Sequence, residues 1–150
     1  MPEDHRQIET LLYQYADRID AGDLEGVAAL FAQGEIVAQT GSPGVIGHDA
    51  VLAFYQRSTR LYPDNGTPHT KHVVSNVVIE ISNCELKATA RSYFTVYQSL
   101  QDFPLQAIIA GRYKDEFECA DGAWRFKIRQ ILPELFGDLS RHLLFDSSEI

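Results

Sequence analysis

The chain of 150 residues has no long apolar run, little sulfur and a deficit of positive charge. No stretch approaches the ~18 consecutive apolar residues of a membrane-spanning helix. The opening MPEDHRQIET has neither a basic start nor an apolar core, so no signal peptide is expected. There are two cysteines, Cys84 and Cys119, and without a secretion signal they are read as reduced thiols of a cytoplasmic protein. Lys and Arg number 13 against 21 Asp and Glu, a formal net charge of −8. That balance argues against a nucleic-acid partner and against docking to an anionic membrane. A Gly-x-Ser-x-Gly elbow and a phosphate-cradling loop are both missing; GSPGVIGHD shares only its glycine content with the latter. His69 and His72 differ by an odd number and diverge if both lie in a strand. With no Cys or carboxylate cluster to complete a site, no metal or other cofactor is expected.

What is present divides into a helical half and a strand half of one domain, residues 1–150. Ile8, Leu11, Leu12, Tyr15 and Ile19 repeat with helical spacing. Gly22 ends that helix, and Asp23 is placed to cap a second with Leu24, Val27, Ala28, Leu30 and Phe31 on one side. A short strand is expected over Glu35 to Thr40. Asp49 is the expected cap of a third helix carrying Val51, Leu52, Phe54 and Tyr55. From Thr70 the period changes to two. Strands are expected in KHVVSNVVIEIS, ELKATARSYFTVYQSL, PLQAIIAGRYKDEFECA and AWRFKIRQIL, the last two joined by Asp121-Gly122, a strong hairpin signal. The tail ELFGDLSRHLLFDSSEI keeps Leu135, Phe136, Leu139, Leu143 and Leu144. It is expected to cover a pocket mouth or to meet a neighbouring subunit. The pattern is that of an α+β domain with helices on one face of a curved sheet that can wrap a pocket.

YADRIDAGD places Asp17, Asp20 and Asp23 three residues apart. At about 100° per residue, Asp17 lies roughly 170° from the apolar stripe and Asp20 roughly 110° from it. Asp17 is therefore read as solvated and Asp23 as a cap, while Asp20 borders the stripe and can reach a cavity edge. A carboxylate near a helix C-terminus is mildly unfavourable with the dipole, so helix stability does not explain Asp20. His72 shares a strand face with Val74 and Asn76, a polar pair among valines that suits a pocket lining. Imidazole is suited to general acid–base work, and a neighbouring carboxylate would fix its tautomer.

Several features together carry a family resemblance. They are Tyr15 with Asp17 and Asp20, Gly22-Asp23-Leu24, Leu30-Phe31, Gly47, His72 with Ser75-Asn76, and Gly111-x-Tyr113 followed by Asp121-Gly122-x-Trp124-x-Phe126. From Ile8 to about Leu132 the chain resembles the SnoaL-like branch of the nuclear transport factor 2-like superfamily. The resemblance implies a cone-shaped, curved mixed sheet packed on three N-terminal helices around a deep apolar pocket, the cystatin-like α+β barrel. Within the superfamily the pattern is similar to scytalone dehydratase and lindane dehydrochlorinase. It implies that Asp20 and His72 form a catalytic dyad, His72 taking a proton from carbon while Asp20 holds and charges it. It also implies a catalytic arginine at Arg129 and a polar pocket residue at Asn76. By parity Arg129 falls with Arg125 and Lys127 on a solvated face, so only a bulge would turn it inward.

The sequence departs from these relatives. Tyr15 stands where the dehydrochlorinase has a lysine. The dehydratase's two tyrosines fall at Ile19 and Gln39, and its second histidine near Val96. Neither substrate therefore transfers. Ketosteroid isomerases are similar in the helical half, with Tyr15 at their oxyanion tyrosine, but their general-base aspartate falls at Gln39. The expected activity is a cofactor-free lyase, performing elimination or dehydration on a small apolar, cyclic molecule, with Tyr15 and Asn76 binding substrate. The alternative is a non-catalytic ligand-binding or assembly subunit, as in the small subunit of ring-hydroxylating dioxygenases. A third reading, epoxide hydrolysis, needs an Asp–Arg–Asp set for which Arg91 and Asp115 are the strand candidates. The aromatic-rich strands suggest a homo-oligomer, a dimer or trimer.

Overall fold

The computed structural model describes residues 2–38 and 43–145. Helix α1 (Pro2–Asp20) buries Ile8, Leu12, Tyr15, Ala16 and Ile19, a stripe set by the three- and four-residue spacing of its apolar positions. Asp17 is exposed on the far side. Two residues past the helix end, Gly22 adopts φ 75°; a Cβ there would stand 2.0 Å from the Gly66 carbonyl oxygen. That close backbone approach holds the end of α1 against the turn that leads into the first long strand. Asp23 caps α2 (Leu24–Ala29), its Oδ1 accepting from Gly26 N at 2.8 Å.

Helix α3 (His48–Ser58) begins after Gly47 without a side-chain cap. Asp49, expected as the cap, instead lies in the first turn. There it suits the helix dipole, and its Oδ1 is 2.8 Å from His48 Nδ1.

Six strands follow the helices or lie between them: β1 (Glu35–Val37), β2 (Val45–Ile46), β3 (Thr70–Ile81), β4 (Lys87–Leu100), β5 (Phe103–Ala120) and β6 (Ala123–Phe136). They form one mixed sheet in the order β2-β1-β6-β5-β4-β3. β1 runs parallel to β6, and every other pairing is antiparallel. The sheet is curved but does not close, since β2 and β3 are its edges. The three helices pack on it, as expected for the α+β class. The expected strand over Glu35 to Thr40 ends at Val37; Gln39 and Thr40 lie outside the described residues. Asp121 and Gly122 take φ 53° and 78°, the paired left-handed conformations of a two-residue hairpin.

Bulges give the sheet its curvature, and they also reassign faces. On β4 the inward set alternates without interruption from Ala88 through Phe94 to Gln98. On β3 the register with β4 shifts between Ser75 and Val78. His72 and Val74 face inward before the shift, and Val77, Ile79 and Ile81 pack on the core after it. On β6 the register with β5 shifts between Phe126 and Ile128. Trp124 and Phe126 are buried before it, and Arg129 after it. A bulge inserts one residue, so every side chain beyond it changes face.

Candidate active site

The concave side of the sheet, with α1 and α3, bounds a cavity of about 330 Å³. Its wall is largely apolar, with Ile19, Phe54, Phe94, Val96, Ile109 and Ile131 among its lining residues. The polar groups that interrupt it are the hydroxyls of Tyr15, Tyr55 and Tyr113, Ser58 and Thr59, and two imidazoles, His72 and His142. Arg57 reaches the rim from the exposed side of α3.

Asp20 and His72 come together where the end of α1 meets the start of β3. His72 Nδ1 is 2.7 Å from Asp20 Oδ1, and the His72 backbone N–H donates to Oδ2 at 2.7 Å. Thr70 Oγ1 donates to Oδ1 at 2.8 Å. Both dyad side chains are nearly enclosed, at 8% exposure for His72 and 11% for Asp20. Burial works to raise the Asp20 pKa. The hydrogen bond and charge of His72, the His72 backbone N–H and Thr70 outweigh it, and the carboxyl is held below its ordinary value. An ionised carboxylate only accepts, so Nδ1 must carry the proton that faces it. In the neutral imidazole, Nε2 is then the nitrogen without a proton, and His72 lines the cavity. This is the geometry of an oriented base backed by a carboxylate.

Tyr15 lines the cavity, as the sequence suggested. Its hydroxyl is 2.5 Å from that of Tyr55. Burial raises the pKa of Tyr15, Tyr55 and Tyr113, so all three phenols stay protonated. One hydrogen joins the Tyr15–Tyr55 pair. The second hydroxyl hydrogen is not used in that bond.

Two expected site residues are placed elsewhere. Asn76 is exposed and does not line the cavity. It occupies the β3 bulge with φ 54°, a left-handed conformation that asparagine tolerates, so the parity linking it to His72 and Val74 is broken there. Arg129 is turned inward by the β6 bulge, yet it stands behind the cavity wall and does not line it. It is fully buried, with Nε and Nη2 donating to Asp115 at 2.9 and 3.0 Å. Its guanidinium carbon lies 3.7 Å from the Tyr113 ring centroid and 4.3 Å from that of Tyr15. Burial opposes the guanidinium charge, but the Asp115 carboxylate more than offsets this, and Arg129 is held protonated. It supports the cavity tyrosines from behind. Arg91 is exposed and Asp115 is committed to Arg129, so the hydrolytic Asp–Arg–Asp set does not assemble. The positions assigned to Gln39 lie outside the described residues.

His142 and Tyr55 are pocket residues that periodicity did not single out. Periodicity makes Tyr55 one more apolar position of α3. His142 lies in the tail, among leucines at 139, 143 and 144, and a polar ring within so apolar a run was the available signal. The described part of the tail contributes Leu139, His142, Leu143 and Phe145 to the cavity lining. Among the described residues, no group of His, Cys, Asp and Glu is arranged to hold a metal ion. No helix among them is long and apolar enough to cross a membrane.

Comparison with known proteins places these features in a family. Residues 2–130 match the SnoaL-like domain. No match was found among curated proteins. Solved structures that it resembles include a proposed scytalone dehydratase from Novosphingobium aromaticivorans, 26% identical over 92% of this chain and 91% of that one, with a TM-score of 0.70. A Nostoc punctiforme protein of unknown function with a cystatin-like fold is 23% identical over 93% and 97%, with a TM-score of 0.74. A proposed aromatic ring hydroxylase, also from N. aromaticivorans, is 19% identical over 94% and 97%, with a TM-score of 0.72.

Proposed function

The chain belongs to the SnoaL-like domain family, and from that premise we propose that it is a cofactor-free lyase acting on a small, apolar, cyclic substrate. The observation that carries this reading is the Asp20–His72 pair at the edge of an apolar cavity, with one imidazole nitrogen left for a ligand. The likeness to a proposed scytalone dehydratase points the same way.

In the proposed reaction, His72 Nε2 takes a proton from a carbon beside an electron-withdrawing group. The C–H electron pair becomes the new C=C bond as the leaving group departs from the neighbouring carbon. Where hydroxide leaves, the imidazolium returns its proton to that oxygen and water is released. Asp20 stabilises the imidazolium and keeps Nδ1 as the protonated nitrogen. The Tyr15–Tyr55 pair donates its remaining hydroxyl hydrogen to a substrate oxygen that gains charge. The aromatic wall selects a ring-shaped, apolar body, and its volume is at the small end of ligand pockets.

The test is turnover of a panel of cyclic β-hydroxy ketones, followed by the absorbance of the conjugated product. His72→Ala and Asp20→Asn should lower the rate by about 10²–10⁴-fold while the fold is retained. Native rates in both variants would end the dyad reading. The second reading, a non-catalytic subunit, draws on the likeness to a proposed aromatic ring hydroxylase. It would be favoured by a partner chain that co-purifies in fixed ratio.

A further inference from the structure

The cavity holds a second histidine that the elimination chemistry leaves unused. His142 lies on the segment 139–144, which backbone hydrogen bonds pin to the exit of α3. Arg60 N donates to His142 O at 2.8 Å and Leu144 N to Ser58 O at 3.0 Å, while Thr59 bridges to Leu143. One residue earlier, the Arg141 carbonyl accepts from Gln98 Nε2 at 3.1 Å and from the Tyr62 hydroxyl. The segment is thus held firmly, and it delivers an imidazole that is only 8% exposed. Nδ1 of that ring is buried and has no hydrogen-bond partner. Buried polar atoms are seldom left unpaired, and those that are call for an explanation.

The His142 ring centroid is 6.3 Å from that of His72, with the rings inclined at 66°. No hydrogen bond joins them. Both line the same cavity, so one small molecule placed there meets both rings. Val96, Ile109, Leu139 and Leu143 line the same cavity and pack together as an apolar cluster. A buried polar ring in a largely apolar cavity specifies a polar atom on the ligand rather than a general affinity for water.

We propose that His142 is a second substrate-contacting residue, donating an imidazole N–H to an oxygen of the ligand while His72 faces the ligand's acidic carbon. The role given to His72 rests on the elimination reading; the His142 contact is a matter of binding. Burial, with the charge of His72 adding to it against a smaller pull from Asp20, pushes the His142 pKa down to about 3. The ring is therefore neutral at neutral pH, with one donor and one acceptor nitrogen. A neutral N–H suits an uncharged oxygen, such as that of a ketone, and can polarise a carbonyl as it gains charge. The ligand class is a small cyclic molecule bearing an uncharged oxygen, not a carboxylate.

Two bicyclic probes that differ by one carbonyl decide the matter: α-tetralone and tetralin, titrated into protein labelled with ¹⁵N in its histidine rings. Wild-type protein should bind α-tetralone about 2–10-fold more tightly than tetralin, the effect of one net hydrogen bond. The His142 ring nitrogens should shift with the ketone and stay in place with the hydrocarbon. His142→Phe should keep tetralin binding and lose the preference, and His142→Gln, which restores a donor, should recover part of it. An unchanged preference in His142→Phe would overturn the proposal. So would an equal loss of both ligands, which would make the ring a mere filler, or a wild-type protein with neither preference nor shift. The wild-type titration decides the question even where a variant does not fold. Binding is read without turnover, so full activity in Asp20→Asn would remove the elimination reading and leave this result standing.

Discussion

At the scale of single residues, Asp20 shows how a surface-type side chain becomes a structural anchor. One carboxylate accepts from Thr70 Oγ1, from the His72 backbone and from the His72 ring. Its folded pKa is lowered below 3.8, so its contribution to stability is complete above that value and is lost as pH falls through the lower folded one. The stability gap between wild type and Asp20→Asn, measured by urea unfolding, should therefore narrow below pH 3.8. A gap that stays constant into acid would mean that the carboxylate is not held ionised by these donors. The Asp115–Arg129 pair makes a different prediction, because both partners are fully enclosed. Asp115→Ala leaves a guanidinium buried without a counter-charge and should cost about 3–5 kcal/mol in chemical denaturation. A loss under about 1 kcal/mol would show that the pair is not buried as described.

At the scale of elements, the helices and strands were legible and the faces beyond the bulges were not. The spacing of Ile8, Leu12, Tyr15 and Ile19 reports the buried side of α1 directly, and the same geometry singled out Asp20 among three acids. The two-residue period marks the four long strands, and Asp121-Gly122 marks their last hairpin. Parity, however, carries face assignments only as far as the next bulge. It assigned Asn76 to the His72 face and Arg129 to the solvent, and one inserted residue in each strand reverses both. Asn76→Gly should accordingly change stability by no more than about 0.5 kcal/mol, since glycine also accepts the left-handed conformation. It should leave turnover unchanged, because the side chain is outside the cavity. Gly22 is the opposite case. Gly22→Ala meets both a positive φ and the Gly66 carbonyl, so it should cost about 2 kcal/mol or more and loosen the α1–β3 junction. A thermal unfolding midpoint equal to wild type would refute that close approach.

At the scale of the whole molecule, the features that sequence did not disclose are those joining distant segments. Nothing in the pattern of residues 35–37 announces their parallel pairing with β6, and the apolar tail suggests a pocket cover without showing that His142 returns to within 6.3 Å of the His72 ring. That return has a consequence for the stability of the entire fold in acid. The unfolded chain binds a proton at His142 below 6.5, whereas the folded chain does so only near pH 3. Between those values the unfolded state carries more protons at this site, so the contribution of His142 to stability falls as pH drops through the interval. Asp20 acts only below 3.8, and the two contributions are separable. His48 works in the opposite sense: Asp49 and Glu25 raise its pKa, so its contribution is lost as pH rises. It is common to wild type and to a His142 variant, and it cancels in their difference. Urea unfolding of His142→Phe between about pH 4 and 7 should give a flatter stability curve than wild type, with the two curves running parallel once both are above 6.5. Parallel curves over the whole interval would mean that His142 titrates in the fold as it does in the unfolded chain, and that its ring is not buried away from water as described.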